Sequence, residues 1–185
     1  MKQIRLGIFA ALAMALGWAE RLIPVNMAVP GGKLGLANII TIIVYRLYGF
    51  KSALAVTIVR CALGSIIYGG IASLPYSLCG GTAALCAMHF AFKIKGISNT
   101  GVAIIGAFMH NLAQIAVACV IMKNINIINY IWILGLISIG AGAFTGICAA
   151  LCLDRIEKDR ETGKEEGNDN KVDIGISLSP KKRNS

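Results

Sequence analysis

Residues 34–68 read LGLANIITIIVYRLYGFKSALAVTIVRCALGSIIY, and the way this stretch divides decides the fold. Taken as one helix, it would hold Arg46 and Lys51 at the middle of an apolar rod, where a charge facing hydrocarbon is costly. Divided at Lys51, it becomes two apolar runs, Leu34–Phe50 and Ser52–Tyr68, with the charges at a tight turn. The divided reading is the one adopted. Each run approaches the ~20 residues with which a helix crosses roughly 30 Å of hydrocarbon.

Four further runs lie outward from this pair: Ile4–Ile23, Leu74–Phe92, Gly101–Met122 and Ile128–Leu153. The chain of 185 residues is 56% hydrophobic and only 15% charged, whereas soluble domains carry about a quarter of charged residues. The expected fold is therefore an all-α integral membrane protein. Six transmembrane helices fill residues 1–153, and residues 154–185 form a polar tail with no apolar rhythm, expected to be disordered.

The net charge is +9, yet residues 1–153 contain a single acid, Glu20, and the tail balances its own charges. The basic excess thus belongs to the apolar part, spread singly between runs with no stripe for nucleic acid. It reads instead as topology, because Lys and Arg collect on the cytoplasmic side. With the N-terminus inside, that side carries Lys2, Arg5, Arg46, Lys51, Lys93, Lys95, Arg155, Lys158 and Arg160. The outer side keeps Arg21, Lys33 and Lys123. A multi-pass protein of a bacterial-type cell membrane, with both termini cytoplasmic, is expected. Lys2, Arg5 and Ala13-x-Ala15 also resemble a signal peptide, but more membrane helix follows, so the segment is expected to be retained. The cysteines (61, 79, 86, 119, 148, 152) fall inside the runs without a C-x-x-C pair. They are expected to act as small buried hydrophobes, with no disulfide, metal or cofactor.

Polar residues at membrane depth usually face the protein interior or a water-filled cavity. Glu20 lies near the outer end of the first run, and Asn38, Thr41 and Tyr45 share one face of the second. Arg60 stands near the middle of the third, with Thr57 and Gly64 on its side. His110, Asn111 and Gln114 form a patch on the fifth, with Gly106 a turn below. In the expected orientation these groups converge at similar depth, as in a cavity open to the outside. The alternatives are plain interhelical hydrogen bonding and a structural Glu20–Arg60 ion pair. Between the first two runs, Pro24, Pro30, Gly31 and Gly32 break helix before Lys33. The following helix N-terminus would favour an anionic group, with Lys33 at the rim; an ordinary turn with a snorkelling lysine is the plainer reading.

Small residues recur every four positions at Gly7, Ala11, Ala15 and Ala19, and again at Gly142, Gly146 and Ala150. Such ridges let helix backbones approach closely in lipid, within the bundle or against a second membrane subunit.

Glu20-x-x-x-Pro24, Gly32-Lys33-Leu34-Gly35-Leu36-Ala37-Asn38, Arg60 and His110-Asn111-x-x-Gln114, in this order, resemble the Gx transporter family. That family is also labelled heptaprenyl diphosphate synthase component I. The resemblance covers residues 1–153 and departs at Ala113, where glycine is expected. The family is similar to the S components of energy-coupling-factor transporters. Those are six-helix proteins that capture vitamins or their precursors near the outer surface and work with a coupling subunit and two ATPases. The resemblance implies a small-molecule substrate held by Glu20, Lys33, Asn38, Arg60, His110, Asn111 and Gln114. It also implies a partner surface at Gly7, Ala11 and Ala15.

The enzyme label fits the residues poorly. Mg²⁺–diphosphate sites need clustered carboxylates, and residues 1–153 hold one acid, with neither D-D-x-x-D nor a Walker A sequence in the chain. The expectation is a transport component, not an enzyme; the alternative is a membrane accessory subunit of polyprenyl diphosphate synthesis. The topology is checked by C-terminal reporters. A fused fluorescent protein should be bright and a fused alkaline phosphatase silent, since the latter works only outside the cytoplasm.

Overall fold

A computed structural model describes residues 2–22 and 35–177. The chain falls in two units, Met1–Ala150 and Leu151–Ser185. Among the described residues there are six α-helices and no strand: α1 (Lys2–Arg21), α2 (Leu36–Tyr48), α3 (Phe50–Gly64), α4 (Leu74–Ala91), α5 (Asn99–Ile121) and α6 (Ile131–Ser177). A π-helical turn, Ser65–Gly69, extends α3, and a 3₁₀ segment, Ile125–Tyr130, leads into α6.

The stretch that decides the fold is indeed two helices, but the turn falls on Gly49 and not at Lys51. Gly49 has φ +81°, its N–H donates to the Tyr45 carbonyl at 2.9 Å, and its own carbonyl accepts from Ala53 at 3.1 Å. Glycine adopts a positive φ without the penalty of a Cβ, so one residue closes α2 and opens α3. Lys51 moves into the first turn of α3, exposed.

Six crossings are expected from the sequence, and among the described residues four helical segments are long and apolar enough to cross: Phe50–Gly69, Ile71–Ala91, Asn99–Ile121 and Ile125–Asp159. The other two helices differ from these for physical reasons. Helix α2 has 13 residues, about 20 Å at ~1.5 Å per residue. Helix α1 is long enough but begins with Lys2 and Arg5 and ends with Glu20 and Arg21. The short α2 is instead the enclosed element, since every residue from Ala37 to Val44 is buried. A helix apolar on all sides belongs inside a bundle. Helices α1 and α3 pack along it, and both also pack on each other.

Close packing elsewhere is made by glycine. A Cβ on Gly81 of α4 would stand 2.9 Å from Thr57 Cγ2 of α3, and one on Gly142 of α6 would stand 2.5 Å from Ile104 Cα of α5. One on Gly146 would meet Thr100 Cα at the same 2.5 Å. The second small-residue ridge therefore serves the α5–α6 contact. The first does not. Gly7, Ala11 and Ala15 are exposed, and nothing approaches Gly7 within 4 Å. Helix α1 turns Ala10, Ala13 and Glu20 inward instead.

The outer surface is apolar, with Ile66, Ile71, Val120, Trp132 and Leu136 more than half exposed, as suits a lipid-facing bundle. The cysteines follow that division. Only Cys61 is buried, while Cys79, Cys86 and Cys152 are exposed, so the expectation of uniformly buried cysteines is corrected. Helix α6 continues past Leu153 to Ser177. Glu, Lys and Arg are good helix formers, and Asp154 precedes Lys158 by four residues, a favourable order on a helix.

Replacing Gly142 by Ala should lower unfolding stability by about 1–3 kcal/mol, because a backbone atom and not a movable side chain is in the way. Gly140→Ala, with nothing within 4 Å, should leave it unchanged. Denaturant titration of the purified protein in detergent checks both.

Candidate functional site

The last turn of α1 and the first turn of α2 are fastened by one side chain. Glu20 is 5% exposed. One carboxylate oxygen accepts the Gly35 N–H at 2.7 Å and the other the Leu36 N–H at 3.2 Å. The first N–H groups of a helix have no partner within it, and a carboxylate there also meets the positive end of the helix dipole. Gly35 makes the geometry possible. Its φ is +74°, and a Cβ would lie 3.0 Å from Asn38 Nδ2. The anion that this helix N-terminus favours is thus supplied by the protein itself.

One turn further along α2, Asn38 is buried and its Oδ1 accepts from Arg60 Nη2 at 3.2 Å. Arg60 lies two-thirds along α3, half-buried, and its Nε is buried with no hydrogen-bond partner among the described residues. Glu20 thus holds the backbone of α2, and Arg60 holds a side chain one turn further along it.

Beyond Arg60, α3 loosens into the π-helical turn, a feature often found beside functional sites. Tyr68 leans back from it so that its hydroxyl donates to the Met14 carbonyl of α1 at 3.4 Å. Gly17 and Gly64 leave the room: a Cβ would stand 3.1 Å and 2.6 Å, respectively, from the Tyr68 hydroxyl. Ser65, 3% exposed, keeps its Oγ without a partner among the described residues. Cys61 Sγ donates to the Ser77 carbonyl of α4 at 3.1 Å.

These residues enclose a cavity of about 70 Å³. Glu20, Asn38, Arg60, Ser65, Tyr68 and Ser77 supply its polar wall, together with His110 of α5. His110 is 8% exposed. It fits because Gly80 of α4 has no side chain: a Cβ there would stand 3.0 Å from His110 Cε1 and 3.1 Å from Gln114 Cγ. Gly80 and Gly81 thus face α5 and α3, respectively, and bring three helices together.

Four of the residues expected to bind, Glu20, Asn38, Arg60 and His110, therefore meet at one cavity. Asn111 does not line it. Its Nδ2 donates to Ser138 Oγ of α6 at 2.8 Å, and Ser138 passes the bond to the Leu134 carbonyl at 2.6 Å. Gln114 is buried against Gly80, its Oε1 without a partner among the described residues. Lys33, with Pro24, Pro30, Gly31 and Gly32, lies outside the described residues. Thr41 and Tyr45 do not line the cavity: Thr41 donates to the Ala37 carbonyl at 3.4 Å, and Tyr45 pairs with His89 Nδ1 at 2.8 Å. Tyr45 also stacks on Phe92, over which Arg46 lies at 5.0 Å. Among the described residues no group of three or more His, Cys, Asp or Glu could hold a metal.

Sequence reasoning missed Ser65, Tyr68 and the Gly80–Gly81 pair. The pair had a signal, two adjacent glycines inside an apolar run. The π-helical turn had none.

The sequence model of the family described as heptaprenyl diphosphate synthase component I matches residues 9–152, and the chain belongs to that family. No curated protein and no solved structure matches the chain.

Glu20→Ala removes two charge-assisted bonds to the start of α2. It should cost about 2–3 kcal/mol in unfolding stability and raise amide exchange at Gly35 and Leu36. Hydrogen exchange read by mass spectrometry checks the local effect.

Proposed function

We propose that this member of the heptaprenyl diphosphate synthase component I family is a membrane-embedded, non-catalytic transport component that captures a small molecule from the outer side. Its kind is that of the S components, with a vitamin- or precursor-type substrate, and partner subunits supply the energy. The observation that carries this reading is the cavity. Glu20, Asn38, Arg60 and His110 come from four helices and from positions up to ninety residues apart, yet they line one cavity. Polar groups that only bind helices together pair off locally, as Asn111 and Ser138 do. In this reading α1 and α2 complete six crossings, both termini are cytoplasmic, and Lys33 takes part in binding the substrate. Asn111 and Gln114 support the site from behind.

The exposed ridge of Gly7, Ala11 and Ala15 is the proposed meeting surface for a membrane coupling subunit bound to ATPases. A bare strip of small side chains lets another helix approach closely, and all three residues are exposed among the described residues. The family's description favours a second reading, a membrane accessory subunit of polyprenyl diphosphate synthesis. With one acid in residues 1–153, that role too is non-catalytic.

Mass spectrometry of small molecules released from gently purified protein tests the first reading. A compound should accompany the wild type and be lost from Asn38→Ala and His110→Ala. Gly7→Leu and Ala11→Leu should keep the compound while recovery of a coupling subunit in pull-downs falls by about tenfold, which is ~1.4 kcal/mol. An empty wild type that recovers a synthase subunit instead would favour the second reading.

A further inference from the structure

We infer that the cavity takes the anionic head of its ligand, a carboxylate or a phosphate, on Arg60 and Ser65. This rests on the cavity being the ligand site proposed above, and it adds the chemical class.

A guanidinium stays protonated in proteins, and a buried charge is costly unless paired. Glu20 is the one acid in residues 1–153, and both of its oxygens accept backbone N–H groups of α2, at 2.7 and 3.2 Å. Arg60 Nη2 has only a neutral partner, Asn38 Oδ1 at 3.2 Å, and Arg60 Nε is buried without one among the described residues. Asn38 cannot neutralise it. Ser65 lines the same cavity, 3% exposed, with its hydroxyl likewise unmatched among the described residues. An N–H and an O–H from two residues lining one cavity both lack an acceptor, and an anion answers the charge as well. Ligand charge of the opposite sign would meet Arg60 directly.

Size narrows the class further. Pockets that enclose a whole drug-sized ligand run to about 300–1,000 Å³, and this cavity has about 70 Å³. A carboxylate or phosphate fits that space, so the cavity is assigned to the head of the ligand.

The test uses the full chain in detergent, with sodium acetate and inorganic phosphate as probes, titrated against chloride at constant ionic strength. The readout is the thermal unfolding midpoint. At least one probe should raise the midpoint saturably. Arg60→Met should weaken that response by about tenfold or more, and Ser65→Ala, which leaves the charge in place, by several-fold. Acetate without phosphate, or the reverse, identifies which head the site takes. No saturable rise in the wild type, or a rise undiminished in both variants, overturns the inference. If Arg60→Met does not fold, Ser65→Ala and the wild-type titration decide alone. Anion binding by a protein that carries no compound and recovers no coupling subunit would leave this inference standing and remove the transport reading. A co-purified compound that is neutral or cationic would do the reverse.

Discussion

The first unit depends on how one carboxylate is used. Glu20 is the single acid of residues 1–153, and it closes the open N–H groups of α2, the most enclosed helix of the bundle. Unsatisfied backbone donors inside an apolar bundle cost several kcal/mol, so a short buried helix needs a partner at its start. Glu20 provides it from the end of α1. The rest follows from that placement. Asn38 is set one turn in, Arg60 reaches across to it, and Ser65, Tyr68 and His110 line the same cavity.

That use of Glu20 changes the electrostatic reading of the site. From the residues alone, Arg60 and Glu20 look like complements, and the helix N-terminus looks like a vacant anion site. In the structure the N-terminus is occupied by Glu20 and the guanidinium has an amide for company. The site is therefore donor-rich, which no count of charges along the chain would reveal. It depends on which of two nearby groups the carboxylate meets.

Other parts were legible for identifiable reasons. The helix pair in residues 34–68 follows from the cost of Arg46 and Lys51 at depth, and the structure separates it at Gly49, two residues from the expected turn. Glycine at a positive φ is the better marker of a helix end than the nearest charge. The convergence of Glu20, Asn38, Arg60 and His110 was readable because polar groups at depth are scarce. Asn111 and Tyr45 share that signature yet bond to Ser138 and His89, since periodicity assigns a face and not a neighbour. The two ridges of small residues look alike in sequence, but one is packed against α5 and the other is exposed. Only three-dimensional packing separates them.

The account stands on the division of labour between Glu20 and Arg60, and an experimental structure of the protein purified without added ligand tests it most directly. The account predicts Glu20 on the amides of Gly35 and Leu36, with non-protein density within hydrogen-bonding distance of Arg60 Nε and Ser65 Oγ. A Glu20 carboxylate turned onto Arg60, with the cavity closed and no density beside it, would contradict the account.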